Sequence, residues 1–444
     1  MLSIRRDVAF SFNTTVEIHP HAVAYPRTVE EVVEAVRYAR RQGLRIAPTA
    51  TGHNVGAYGS LEDALLVDVR HLQDVTIDPG ARRVRVGAGV KWERVSSRLS
   101  MYGLAGLHGS SPDVGIAGYS LGGGMGWLAR RYGLQANSVT ALEIVLADGR
   151  HVRTDPTHDP DLFWALRGGN GNFGVVTAIE FAVYPVGELY AGAMFFPFER
   201  SPEVLHTWAE TLDGLPEELM TWASMMHFPP FDWVPEHARG GSFAVVAGAF
   251  LGDERAGREL LRPIRELGPV VDTFAMVPPA ALGELAMDPP EPVPFQLAHR
   301  MLDDLPADAV DRILATTGPG SGAPVAIVQL RHMGGALDRV TPGAGARATL
   351  PGKVCLMGLG VTPDAASVEP VKASLADLER VVTPCRTGDY PNFIEHAVDT
   401  SAFFDAATWR RLCAVKAEYD PQDVFRGNHR IPPAQVGGVL RRAA

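Results

Sequence analysis

The 444-residue sequence predicts an α+β protein in two parts, and three observations predict it. The length exceeds what one hydrophobic core usually serves. The first 190 residues alternate helix and strand signals. Residues 190–405 are richer in Pro and Gly, with strands broken by helices, as in an antiparallel layer. Hydrophobic residues at 46% and charged residues at 21% describe an ordered globular chain.

The elements follow in order. "TVEEVVEAVRYARRQG" (28–43) reads as a helix: Thr28 and Glu31 fit a capping box, and Gly43 fits the stop. Val29, Val32, Val33, Val36 and Ala39 keep helical spacing. "LRIAPTA" is a strand leading into the loop "TATGHNVGAYG" (49–59). "ALLVDV" (64–69) is a strand, and "VTIDPGARRVRV" (75–86) a hairpin turning at Pro79-Gly80. "VKWERVSSRLSMYG" (90–103) is helical. "ALEIVLADGRHVRT" (141–154) is strand, Asp-Gly turn and strand. "DPDLFWALRGG" (159–169) is a short helix ending in glycine. Beyond 190, "SFAVVAGAFLG" (242–252), "APVAIVQLRHM" (323–333) and "KVCLMGLGVT" (353–362) are strands, and "PVKASLADLERVV" (370–382) is a helix. "GPGSGAP" (318–324) and "TPGAGARATLPG" (341–352) read as exposed loops. The closing "TWRRLCAVKAEYDPQDVFRGNHRIPP" begins as a helix and stops at Asp420-Pro421.

Several function classes fall away. With 41 basic and 51 acidic residues the formal charge is −10, whereas nucleic acid and anionic lipid reward basic patches. No apolar run approaches a membrane span. Cys355, Cys385 and Cys413 are widely spaced, so neither a disulfide framework nor a metal site is signalled. "MLSIRRDVAFSFNTT" lacks an apolar core of about 7–15 residues, so no cleaved signal and a cytoplasmic location are expected. Nothing in the sequence sets the oligomeric state.

Three glycine-rich loops carry the chemistry: 49–59, "GSSPDVGIAGYSLGGGMGW" (109–127) and "GGNGNFGVVT" (168–177). Glycine lets successive backbone N–H groups face one point, and such nests bind anions. Three together point to an extended, phosphate-bearing cofactor. A Rossmann fingerprint needs G-x-G-x-x-G between strand and helix, and a P-loop needs Gly-Lys-Ser or Gly-Lys-Thr. Neither occurs here.

The "GH" at 52–53, "SPDVGIAGYSLGGGMGW", "GNFGVVT" and the ending "YDPQDVFRGNHRIPP" run in one order through the whole chain. In this the chain resembles the berberine-bridge-enzyme-like branch of the vanillyl-alcohol-oxidase flavoproteins. The resemblance implies an FAD-binding part of that type at 1–190, completed by 413–444. It implies an inserted substrate domain at 191–412, with an antiparallel sheet flanked by helices. The implied activity is that of an FAD-dependent oxidase, moving hydride from a small alcohol, sugar or secondary metabolite to flavin, with O2 as acceptor and H2O2 as product. Alternatives are a flavin dehydrogenase or redox cyclase using another acceptor, and a catalytically idle flavin-binding protein.

The resemblance also assigns residues. His53 would join the flavin 8α-methyl covalently, although Thr49-Ala50-Thr51 replaces the family's Arg-x-Gly before Gly52. The family's second, cysteinyl link falls at Ser111, so it is expected to be absent. Val114, at a position that gates oxygen, is small enough for an oxidase. Cofactor contacts are implied for Thr49, Ala50, Thr51, Gly52, Asn54, Gly56, Ser110, Ser111, Val114, Gly115, Ala117, Gly118, Ser120, Gly122, Gly123, Gly124, Gly174, Val175, Val176, Asn392 and Asn428. A tyrosine that accepts the substrate proton in many relatives falls at Phe404, which cannot. Tyr119, Tyr390 and His332, with its neighbour Arg331, are the replacement candidates, and His108 precedes the second loop.

Overall fold

The computed structural model describes residues 2–435, so Met1 and the last part of the 413–444 segment, 436–444, lie outside the described residues. Two sheets form the first half. In a four-stranded sheet, β1 (Ser3–Arg5), β2 (Ala22–Tyr25), β3 (Arg45–Thr49) and β4 (Ala64–Asp68) run in the order β1-β2-β4-β3, with β2 and β3 parallel to β4. The crossover from β2 to β3 is α1 (Val29–Gln42), which buries Val32, Ala35, Val36 and Ala39. Thr28 accepts from the Glu31 N–H, but the Glu31 carboxylate caps the Arg27 N–H rather than closing the box on Thr28. A five-stranded antiparallel sheet contains β5 (Val75–Asp78), β6 (Arg83–Gly87), β7 (Val139–Val145), β8 (His151–Thr154) and β9 (Val175–Ala182), ordered β5-β6-β9-β7-β8. The second glycine loop leads into α2 (Ile116–Gly122).

A nine-stranded antiparallel sheet forms the second half. Its long strands are β10 (Leu189–Pro197), β11 (Leu219–His227), β12 (Ser242–Phe250), β13 (Phe295–Leu302), β14 (Ile327–His332) and β15 (Val354–Val361), in the order β10-β12-β11-β14-β15-β13. One face is covered by α3 (Ser201–Thr211), α4 (Ala307–Thr317) and α5 (Ala365–Val382) through residues such as Trp208, Ile313 and Leu378. Each large apolar side chain so buried stabilises by about 1.5–3 kcal/mol. These three helices therefore share one side. Trp222, Met301, Cys355 and Tyr390 pack on the other, against Met125, Trp127 and Leu134 of the first half.

α6 (Ala406–Tyr419) returns the chain to the first core, where Leu412, Cys413 and Val415 are buried. The boundary expected at 412/413 thus falls inside a helix, and Phe404 and Trp409 already pack on that core. Past α6, Ile46 N–H donates to Val424 O and Arg426 N–H to Ile46 O, both at 2.8 Å, so the tail extends the first sheet beyond β3.

Three local expectations need correction. α5 begins at Ala365, ahead of Pro370, because Asp364 and Ser367 cap it reciprocally. The helix expected over 90–103 is confined to Glu93–Ser100. The loop 341–352 is exposed only at its start and at Pro351: Gly345 crosses Arg167, and the Arg347 N–H donates to Arg167 O at 3.0 Å, burying Arg347.

Candidate functional site

The first loop leaves β3 at Thr49. A Cβ at Gly52 would lie 2.5 Å from the Phe10 carbonyl oxygen, and its φ is +71°, so only glycine lets the N-terminal segment cross there. Residue 53 follows, its ring stacked on Phe12 with centroids 4.3 Å apart. Its Nε2 lies 3.1 Å from Asp113 Oδ2, and the Ser111 hydroxyl donates to Asp113 Oδ1 at 2.7 Å. Burial pushes the Asp113 carboxyl up, but the bonds from His53 and Ser111 outweigh it and hold the group below the usual range. Asp113 is thus a carboxylate, which only accepts. In the neutral ring the hydrogen is then on His53 Nε2, which leaves the Nδ1 lone pair free. The two loops are stitched again where the Gly115 N–H donates to Thr51 Oγ1 at 3.2 Å. Ala50 packs beside that bond.

Asn54 donates to Pro391 O at 3.2 Å, while its Oδ1 is buried without a partner. Gly56 serves packing, since a Cβ there would lie 2.4 Å from Glu395 O. Val114 is half-buried against the first core, and its carbonyl accepts from the Trp92 N–H.

Along α2, Ala117, Tyr119 and Ser120 are buried, yet Gly118 is exposed and has open space where a Cβ would stand. The Ser120 hydroxyl turns back to Ile116 O. A Cβ at Gly122 would lie 2.0 Å from Asn392 Oδ1; one at Gly124 would lie 2.6 Å from the Tyr119 ring. At Gly123, Tyr390 stands 3.4 Å away on the same measure. The Tyr390 hydroxyl accepts from the Gly124 and Met125 N–H groups at 2.9 and 3.0 Å. Asn392 donates to Tyr119 O, and the Tyr119 hydroxyl to Leu107 O. The triple glycine therefore gathers Tyr119, Tyr390 and Asn392, far apart in sequence. Burial raises both phenols, leaving them protonated at neutral pH.

Arg331 joins this group from the sheet, whereas His332 takes the opposite pleat, as neighbours on a strand must. Burial pushes the His332 imidazole down to about 3, with the Arg130 and Lys353 charges adding to the effect. His108 is buried, with Nδ1 on Gly109 O. Phe404 stacks on Trp409 beneath the Arg347 guanidinium, 4.6 Å from its ring. Asp288 carries no sequence signal, lying in the turn "MDPPEP". Burial raises its carboxyl, which bonds Ser110 and faces Arg331, Asp113 and His53.

In the third loop Val175 and Val176 pair with Val145 and Ile144, and a Cβ at Gly174 would lie 2.5 Å from Val145 O. Asn172 ties this loop to the tail: it accepts from the Gly427 and Ile431 N–H groups and donates to Gly169 O and His429 O. Asn428, inside that knot, is half-buried. The open space over Gly118, the unpartnered Asn54 Oδ1 and the free His53 Nδ1 fit an extended cofactor lying across the loops. A surface depression of about 630 Å³ between 340–348 and Thr408 involves none of these groups.

The FAD binding domain family matches residues 20–155. An FAD-linked oxidoreductase of Dictyostelium discoideum is 26% identical, over 97% of this chain and 93% of its own. The (R)-6-hydroxynicotine oxidase of Paenarthrobacter nicotinovorans is 28% identical, over 93% and 91%. Among solved structures, the BBE-like 1 protein of Physcomitrella patens superposes with a TM-score of 0.82 at 22% identity, covering 96% of this chain and 94% of that one. Among the described residues no helix is long and apolar enough to cross a membrane.

Proposed function

We propose that the chain, an FAD-linked oxidoreductase by its relatives, is a berberine-bridge-enzyme-like oxidase of the vanillyl-alcohol-oxidase superfamily that carries its flavin covalently on His53. Bound FAD supplies the redox chemistry, taking hydride from an activated C–H of an alcohol, sugar or secondary metabolite and passing the electrons to O2 to give H2O2.

The His53–Asp113 pair carries this reading. With the proton fixed on Nε2, Nδ1 is the nitrogen able to bond the 8α carbon, and an imidazole nucleophile needs such a free lone pair. Phe12 holds the plane of the ring. Ser111 offers no thiol, so a second link has no donor there. The loops 49–54, 110–118 and 174–176, with Asn392 and Asn428, hold the cofactor. The part from 191 to about 404 supplies the substrate side. Val114, small and half-buried, supports O2 as acceptor. Tyr119 and Tyr390, kept as phenols, orient rather than accept protons.

The purified protein tests this in one preparation. Acid precipitation should give a yellow pellet and a 49–59 peptide heavier by one FAD. After anaerobic photoreduction, admitting air should restore the colour at once. A colourless pellet overturns the covalent link, and slow recolouring assigns the protein to the dehydrogenases.

A further inference from the structure

Arg331 is only 3% exposed, yet it is not answered by the protein. Its Nε donates to Gln329 Oε1 at 2.6 Å, which fixes the plane of the guanidinium. That plane lies 3.9 Å over Trp222 and 4.9 Å from the Phe393 ring centroid, and Trp222 is itself stacked on Trp127. Among the described residues Nη1 and Nη2 have no acceptor, and neither is fully sealed from solvent. Among comparably buried cations, Arg130 meets the carbonyls of Pro216, Leu219 and Leu215, Lys416 meets Asp420 and the carbonyls of Asn172 and Phe425, and Arg167 and Arg347 meet one carbonyl each, of Phe163 and Phe403.

A guanidinium cannot shed its charge, and burying it unanswered is costly. Among the described residues no ion pair joins it to the titratable groups that face it. Burial keeps Tyr119, Tyr390 and Cys355 protonated and His299 uncharged. Asp288 is the one acid among them, and it is bonded to Ser110.

We propose that Arg331 receives a carboxylate of the substrate, so that the molecule oxidised is a small organic acid bearing an alcohol or amine carbon. A planar guanidinium with one edge free matches the two oxygens of a carboxylate. The aromatic walls of Trp222 and Phe393 exclude water and strengthen the pair. This specifies the substrate class of the oxidase reading and rests on it.

FAD-loaded protein is titrated with acetate against acetamide and benzoate against benzamide, following flavin absorption. Each acid should bind about tenfold or more tightly than its amide, as charged hydrogen bonds of this kind give. Arg331→Met should erase that preference. If that variant fails to fold, Arg331→Lys keeps the charge without the fork and should lose part of the preference. Equal binding of acid and amide, no spectral response to either, or a preference that survives both substitutions overturns the proposal. Flavin content and recolouring in air, measured alongside, show separately whether the oxidase reading stands.

Discussion

At the scale of single residues, His53 was legible because a lone imidazole among small residues stands out. Its partner was not: Asp113 lies 60 positions on, and no local periodicity links them. Asp288 and the bond from Ser110 were hidden for the same reason. His332 and Arg331 were equal candidates in the sequence, and the alternation of the strand separated them. Asp113→Asn removes the obligatory acceptor and frees the ring to take either tautomer. Covalent flavin incorporation, followed by acid precipitation with time, should slow by about tenfold or more, and His53→Ala should abolish it. Incorporation at the wild-type rate in Asp113→Asn would remove Asp113 from this role.

Among the elements, α1 and the strands were readable from their spacing and caps. α6 shows where such reading stops. A lysine on an amphipathic helix ordinarily faces water, but Lys416 is fully buried, 2.6 Å from Asn172 O and 2.8 Å from Phe425 O. It pairs with Asp420, whose other oxygen accepts from the Val424 N–H at 2.9 Å, so one ion pair shapes the turn that docks the tail beside β3. Lys416→Met should destabilise the fold by about 3–5 kcal/mol, because it leaves Asp420 buried and uncompensated. The urea midpoint measures this; a loss below about 1 kcal/mol, the worth of an exposed pair, would show that the pair is dispensable.

Across the whole molecule, Asn13 binds the N-terminal segment to the sheet and to the segment after Tyr390, donating to Phe295 O and to Glu395 Oε2 at 3.1 and 2.9 Å. Burial pushes the Glu395 carboxyl up to about 7, against the opposing Asn13 bond. Its folded value is above the ordinary 4.5, so the folded state holds the proton more tightly. The stability it contributes is complete below about 4.5 and is lost as pH rises through about 7. Glu395→Gln should flatten that part of the Tm-against-pH curve, and an unchanged slope would exclude Glu395 as its source.

The sequence by itself determined the α+β class, the change of texture near 190, the three glycine loops and the histidine among them. These are local properties of spacing, caps and backbone freedom. Only the tertiary structure decided that Asp113 fixes the proton of His53, that Tyr390 and Asn392 meet the triple glycine, and that Arg331 rather than His332 turns to Trp222 and Phe393. Those contacts join segments tens to hundreds of residues apart. Burial and the loss of water give them their effect, and neither can be read from one stretch of chain.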